Sequence, residues 1–93
     1  MLLANICVVF PEEAIFMITK TDTPIALGLA ARTARKKLCL TQPQLAMASG
    51  VGVRFIVELE AGKPTLRLES VLRVIHALGG CLCIEGLVTG TED

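Results

Sequence analysis

The sequence predicts a single, mostly α-helical domain that ends in one short β-strand. Two observations predict the helices: apolar residues recur at steps of three and four along the first and last of four segments, and threonines stand where the first two segments begin. A third predicts the strand, because the apolar run Cys81-Leu82-Cys83-Ile84-Glu85 lies between Gly79-Gly80 and Gly86. A chain of 93 residues has room for one domain, which excludes a multi-domain enzyme.

The first helix is predicted over residues 24 to 38. Thr23 can cap it, and Pro24 can occupy the first helical position, where a missing N–H costs nothing. Its apolar stripe consists of Leu27, Ala30, Ala31, Ala34 and Leu38. Basic residues in the last turn favour the negative end of the helix dipole, and we expect the helix to stop at Cys39.

Two short helices follow, over residues 42 to 48 and 52 to 60. Thr41 and Gln44 form a capping-box pattern at the start of the first, and Ser49-Gly50 separates the two. Two helices that cross closely need a small contact residue and a turn residue that tolerates positive φ, which Ala46 and Gly50 supply. The core of this pair is then Leu45, Val51, Ile56 and Leu59.

The fourth helix, over residues 67 to 78, has a stripe formed by Leu68, Val71, Leu72, Ile75 and Leu78. The strand after it needs a partner, because one strand alone cannot satisfy its backbone. That partner is either a second copy of the chain, which we favour, or the N-terminal segment, where residues 6 to 10 and 15 to 18 could form strands. Alternatively, Met17 is the natural start and residues 1 to 16 are an extension.

Composition excludes several classes of protein. No apolar run reaches the roughly 18 residues of a membrane span, and no export signal is recognisable, so we expect a cytoplasmic protein with no membrane partner. Because 53% of the residues are hydrophobic and the mean hydropathy is +0.65, we expect some apolar surface to meet a second chain.

We find no pattern typical of catalysis or of a cofactor or metal site. The cysteines Cys7, Cys39, Cys81 and Cys83 have no disulfide-framework or zinc-site spacing, and we expect reduced thiols, with Cys81 and Cys83 packing as small hydrophobes. His76 is expected on the surface.

A net charge of zero conceals a basic centre. Residues 32 to 67 contain seven basic and two acidic residues, a net charge of +5, and the segments on either side are acidic. Such a distribution indicates a polyanionic partner that meets one face of the protein, although unbiased surface charge is the simpler alternative.

The centre of the chain resembles the phage-repressor-like (XRE/Cro) helix-turn-helix domains. The resemblance is carried by residues 35 to 37, Leu40-Thr41-Gln42, Leu45-Ala46, Gly50-Val51, Ile56, Leu59-Glu60 and Gly62-Lys63. A narrower resemblance, to HipB-type antitoxins, is carried by Arg54-Phe55-Ile56, Gly62-Lys63-Pro64-Thr65 and the run from Val71 to Gly79.

The resemblance implies a lambda-repressor-like domain of four to five helices and a homodimer that binds double-stranded operator DNA. It also implies a HipA-like serine/threonine kinase toxin as partner and repression of the protein's own operon. We divide the chain into an N-terminal extension (1–22), the helix-turn-helix domain (23–80), a dimerising strand (81–86) that pairs with its symmetry mate, and a flexible tail (87–93).

Two positions depart from the family pattern. The residue at which the first helix ends is usually glycine and here is Cys39, which would be strained in a left-handed conformation. The cap of the third helix is usually serine and here is Gly52, at a cost of a few tenths of a kcal/mol.

With the third helix in the major groove, its N-terminal residues would meet base edges. The predicted base-reading residues are Arg54, Val53, Gly52, Val57 and Glu58. Arg54 is the first choice, because a guanidinium can donate two hydrogen bonds to guanine, with a phosphate contact as its alternative role. Val53 could contact a thymine methyl group.

The predicted phosphate contacts are Gln42, Lys63, Arg32, Lys36 and Lys37. By the resemblance, Arg35 and Glu60 form an ion pair between helices that orients the third helix. Two alternatives remain open: a solitary regulator without a toxin, and a protein-interaction module that does not bind DNA.

Overall fold

The computed structural model describes residues 5–12 and 15–85 and confirms the mostly helical fold. The elements in chain order are β1 (Asn5–Glu12), β2 (Ile15–Lys20), α1 (Pro24–Lys37), α2 (Gln42–Ser49), α3 (Val53–Glu60), α4 (Leu68–Ala77) and β3 (Cys81–Glu85). Each of the four helices agrees with its predicted bounds to within one residue. Among these residues, no helix has the length and apolar character needed to cross a bilayer.

The predicted caps start α1 and α2. The Thr23 hydroxyl accepts a hydrogen bond from the Ala26 amide at 3.1 Å, with Pro24 in the first turn. Thr41 and Gln44 form a complete capping box, with each side chain accepting from the other residue's backbone amide. These bonds satisfy amides that have no partner within the helix, so local sequence alone determines where both helices begin.

The end of α1 is strained. Cys39 has a φ of +59°, and the amides of Leu40 and Cys39 donate to the carbonyls of Arg35 and Lys36. This is a Schellman motif whose left-handed position is normally glycine, because a side chain there crowds the backbone.

We therefore expect Cys39→Gly to raise the free energy of unfolding by about 1 kcal/mol, measured by urea denaturation. Cys39→Ala is the matched control: it removes the thiol and keeps Cβ, so it should leave stability nearly unchanged. Equal stability of all three proteins would contradict the strain.

The hydrophobic core lies between the four helices. Its completely or almost completely buried side chains are Ala31, Leu45, Ala46, Ile56, Leu59, Val71, Val74, Ile75 and Leu78. Two residues of the predicted apolar stripes are exposed: Leu38 caps the end of α1 at 50% exposure, and Leu68 begins α4 at 62%. Helix ends extend beyond the region where the helices cross, so periodicity overestimates the buried stripe there.

The three strands form one antiparallel sheet in the order β2-β1-β3. β1 pairs with β2 from Cys7 opposite Lys20 to Glu12 opposite Ile15, and with β3 from Asn5 opposite Glu85 to Val9 opposite Cys81. Pro11 lies beyond the last residue of β1 that pairs with β3, where a missing N–H does not interrupt that ladder.

The partner of β3 corrects one expectation. We favoured a second copy of the chain as the partner of β3. In the structure β3 pairs with β1, so the alternative that we named, the N-terminal segment of the same chain, is correct. β1 lies between β2 and β3 and forms a hydrogen-bonded ladder with each, so the N-terminal segment supplies the partner that β3 requires. β3 is an edge strand of this sheet. The predicted tail (87–93) lies outside the described residues.

Candidate nucleic-acid interface

Helices α2 and α3 form the predicted tight pair. Ala46 on α2 is buried at 3% exposure, Gly50 has a φ of +73°, and the Val51 amide donates to the Ala46 carbonyl at 3.1 Å. The Ser49 hydroxyl donates to the Leu45 carbonyl, which satisfies a buried polar group at the end of α2. The turn therefore holds α3 at a defined angle to α2.

The outer face of the first two turns of α3 is exposed to solvent. Val53 and Val57 are 42% and 45% exposed, whereas Ile56 and Leu59 on the opposite face are completely or almost completely buried. Gly52 is the cap residue, and a side chain built there would meet nothing within 4 Å. The start of α3 is thus an accessible surface with space for close approach of another molecule.

Arg54 is the most accessible charged group of this surface, with its side chain 91% exposed. Its Nε lies 3.4 Å from Oε2 of Glu58, and Nζ of Lys63 lies 3.4 Å from the same oxygen. Exposed ion pairs of this kind contribute about 0 to 1 kcal/mol. Arg54 can therefore leave Glu58 for another acceptor at little cost.

Behind this surface, Arg35 of α1 and Glu60 of α3 form a two-point ion pair. Nε of Arg35 donates to Oε2 of Glu60 at 2.7 Å, and a second guanidinium nitrogen donates to Oε1 at 3.0 Å. The two side chains are only 10% and 5% exposed. The hydrogen bond to Glu60 raises the pKa of Arg35, burial opposes the change and the nearby charge adds to it, so Arg35 remains cationic.

Two further contacts extend this pair into a network. The remaining terminal nitrogen of Arg35 donates to the Leu40 carbonyl at 2.8 Å, and Nε2 of Gln42 donates to Oε1 of Glu60 at 3.2 Å. The network joins the end of α1, the start of α2 and the end of α3. Because the partners are planar and buried, it restrains the angle between these helices.

The structure thus modifies the expectation for Gln42, which we assigned to a phosphate. Its side chain is half-buried and already bonded to Glu60. One amide hydrogen remains for a second acceptor. Sequence reasoning missed this internal bond because Gln42 and Glu60 are 18 residues apart and only the crossing of α2 and α3 brings them together.

The other predicted phosphate contacts lie on two elements. Arg32, Lys36 and Lys37 are exposed on α1, and Lys63 is exposed in the turn that follows α3. Lys63 lies close to Arg54, because both side chains contact the same carboxylate oxygen of Glu58. The structure therefore associates one of these four cations with the surface of α3 and places the other three on a separate helix.

Sequence reasoning also missed Gly28. It is buried in the middle of α1, where glycine costs about 1 kcal/mol relative to alanine. An added Cβ would collide with the Leu59 carbonyl oxygen and approach the Glu60 carbonyl oxygen to 3.1 Å. The glycine allows α1 to pack against the backbone of α3, and a glycine inside an amphipathic helix was the available signal.

Comparison with known proteins identifies two similar chains. An uncharacterized HTH-type transcriptional regulator of Sinorhizobium fredii is 48% identical over 63 residues, which is 68% of this chain and 83% of that protein. An uncharacterized HTH-type transcriptional regulator of Haemophilus influenzae is 33% identical over 79 residues, 85% of this chain and 78% of that protein. No protein-family model matches the chain.

Proposed function

This chain belongs to the HTH-type transcriptional regulators, and from that premise we propose that it is a repressor that binds double-stranded DNA in a sequence-specific manner, as a homodimer on a palindromic operator. The observation that carries the proposal is the exposed outer face of the first two turns of α3. It presents a cationic side chain, Arg54, beside two half-exposed valines, and the Arg35–Glu60 pair restrains the helix from behind.

In the proposed complex, α3 enters the major groove with its N-terminal end toward the bases. Arg54 donates two hydrogen bonds to guanine O6 and N7, Val53 and Val57 contact thymine methyl groups, and Gly52 allows close approach of the backbone. Glu58 orients Arg54 or accepts from a cytosine amino group. Lys63, the remaining amide hydrogen of Gln42 and the α1 residues Arg32, Lys36 and Lys37 are assigned to phosphates.

Replacing Arg54 tests the base-reading assignment. Arg54→Ala should weaken binding to the operator, first identified by in vitro selection, about 10- to 100-fold, because a bidentate contact to guanine contributes about 1 to 3 kcal/mol. Stability should not change, since the side chain is 91% exposed. Fluorescence anisotropy with operator and scrambled duplexes gives the affinities, and thermal melting gives the stability.

Arg73→Ala is the matched control, because it removes one cation from an exposed pair of the same i,i+4 spacing, with Glu69 on α4. It should lose little affinity. If Arg54→Ala weakened binding to both duplexes equally, Arg54 would contact a phosphate. If it left operator affinity unchanged, α3 would not be the reading helix.

The salt dependence of binding separates DNA binding from the protein-interaction alternative. If each of the four cations assigned to phosphates neutralises one phosphate, the dimer neutralises eight and should show a slope of about −7 in a plot of log affinity against log salt concentration. A protein that uses this surface only for an apolar protein contact should bind duplex DNA weakly, and its contact with the other protein should respond little to salt. Such behaviour would overturn the proposal.

The position of β3 at the edge of the described sheet supports the homodimer. An edge strand exposes backbone N–H and C=O groups that can pair with another strand. Two copies that joined their β3 strands, Cys81-Leu82-Cys83-Ile84-Glu85, around a two-fold axis would extend the three-stranded sheet across the dimer. Sedimentation equilibrium should give twice the 9.9 kDa chain mass at micromolar concentration. A monomer that persists when bound to operator would contradict the dimer.

We further infer a protein partner, a HipA-like kinase toxin, which would make the chain an antitoxin that represses its own operon. Only the narrower resemblance over Arg54-Phe55-Ile56, Gly62-Lys63-Pro64-Thr65 and the run from Val71 to Gly79 supports this partner. Co-expression with the product of the adjacent reading frame should yield a stable complex with a protein that carries kinase motifs. An adjacent frame without such motifs would favour the solitary regulator.

A further inference from the structure

Two thiols lie in contact on the edge strand of the sheet. Sγ of Cys81 is 3.6 Å from Sγ of Cys83, and the two residues alternate along β3, so their side chains lie on the same face. We expected both thiols to be buried and to pack as small hydrophobes, and this expectation is wrong for Cys81, which is exposed, whereas Cys83 is half-buried. The pair is therefore accessible to solvent at Cys81. Neither cysteine is assigned to DNA contact or belongs to the Arg35–Glu60 network.

The separation of the two sulfurs suits a shared ion. If a metal ion bound both sulfurs with bonds of about 2.3 Å, the S–metal–S angle would be about 100°, close to a tetrahedral angle. A disulfide would instead require the sulfurs to close to about 2.05 Å, across two parallel Cα–Cβ bonds of one extended strand. Binding of an ion between the two sulfurs therefore requires less movement of the cysteine side chains than formation of a disulfide.

We propose that Cys81 and Cys83 form a chelating site for a thiophilic metal or metalloid ion. Both thiols lose their protons to solvent or to a leaving hydroxide, and two sulfur–ion bonds form without oxidation or reduction. Cys81 and Cys83 are the two ligands that the described side chains supply to this site. The open side of the pair leaves the other coordination positions to solvent or to an exogenous ligand.

The backbone register adds a third cysteine that the experiment must control. Cys7 of β1 is opposite Cys83, and Cys39 is an exposed thiol at the end of α1. The chain has four cysteines. Cys7→Ser/Cys39→Ser therefore retains only the proposed pair, whereas Cys81→Ser/Cys83→Ser retains the same number of thiols in other places.

Phenylarsine oxide is the first probe, because its trivalent arsenic forms two As–S bonds with a dithiol and releases water. By intact mass spectrometry, the variant that retains Cys81 and Cys83 should carry one equivalent in the presence of excess glutathione, and the control variant should carry none. Zn²⁺, titrated against a chromophoric chelator, should bind at least tenfold more tightly to the first variant. Circular dichroism verifies that both variants are folded.

Equal binding by the two double variants would overturn the proposal. So would retention of a full equivalent of phenylarsine oxide by Cys81→Ser alone, an exposed substitution that should not disturb folding. If the first variant had no bound ion and a mass lower by two hydrogen atoms, the two cysteines would have formed a disulfide, and the proposal would also be overturned. The measurements involve no DNA, so their outcome is independent of the proposed regulatory function.

Discussion

Replacing Arg35 with alanine is expected to lower the free energy of unfolding by about 3 kcal/mol, because removing one partner of a buried ion pair leaves the other charge uncompensated. The Glu60 side chain, only 5% exposed, would keep only the donor from Gln42 at 3.2 Å. The Leu40 carbonyl would also lose its donor. Urea denaturation followed by circular dichroism measures the change.

The same substitution should also weaken DNA binding, since the network that orients α3 is removed. Arg73→Ala is the control for stability, because its pair with Glu69 is exposed and should contribute less than about 1 kcal/mol. A double-mutant cycle with Glu60→Ala should show coupling, with the double variant losing less than the two single losses together. An unchanged denaturation midpoint for Arg35→Ala would show that the pair does not stabilise the fold.

Replacing Gly28 with alanine should also destabilise the protein by about 3 kcal/mol, the upper part of the range for overpacked cores. Two effects oppose each other here. Alanine has a higher helix propensity than glycine by about 1 kcal/mol, which favours the variant. The added Cβ, however, would collide with the Leu59 carbonyl oxygen and crowd the Glu60 backbone, and backbone atoms cannot move aside as a flexible side chain can.

The collision should dominate, because relieving it requires α1 and α3 to separate. Gly52→Ala is the matched control: nothing lies within 4 Å of its Cβ position and its φ is −76°, so only the cap of α3 changes. The control should lose less than about 1 kcal/mol. A melting temperature for Gly28→Ala equal to or above that of the wild type would show that the helices do not cross this closely.

Much of the helical structure is predictable because its signals are local. Thr23, Thr41 and Gln44 satisfy the first amides of α1 and α2 within a few residues, and Gly50 adopts the positive φ that its turn requires. The strand at 81–85 is likewise visible as an apolar run between glycines. These features depend on interactions between near neighbours in the chain, which is why composition and spacing suffice to place them.

The candidate site is predictable in part. That Arg54 lies on an exposed first turn follows from the periodicity of α3, whose opposite face carries Ile56 and Leu59. The pairing of Arg54 with Glu58 is a local i,i+4 contact within α3, which the helical spacing allows and which sequence reasoning overlooked. The bond from Gln42 to Glu60 does not follow from periodicity, because it depends on how α2 and α3 cross.

The sequence by itself determined where the helices begin and end, which faces are apolar and which segment carries the basic residues, since each depends on backbone chemistry within a few positions. Only the tertiary structure decided that β1 pairs with β3, that Gly28 lies against the backbone of α3 and that Cys81 contacts Cys83. The physical reason is that the first two contacts join residues distant in the chain, and the third depends on side-chain conformation. Their geometry exists only after the elements have packed.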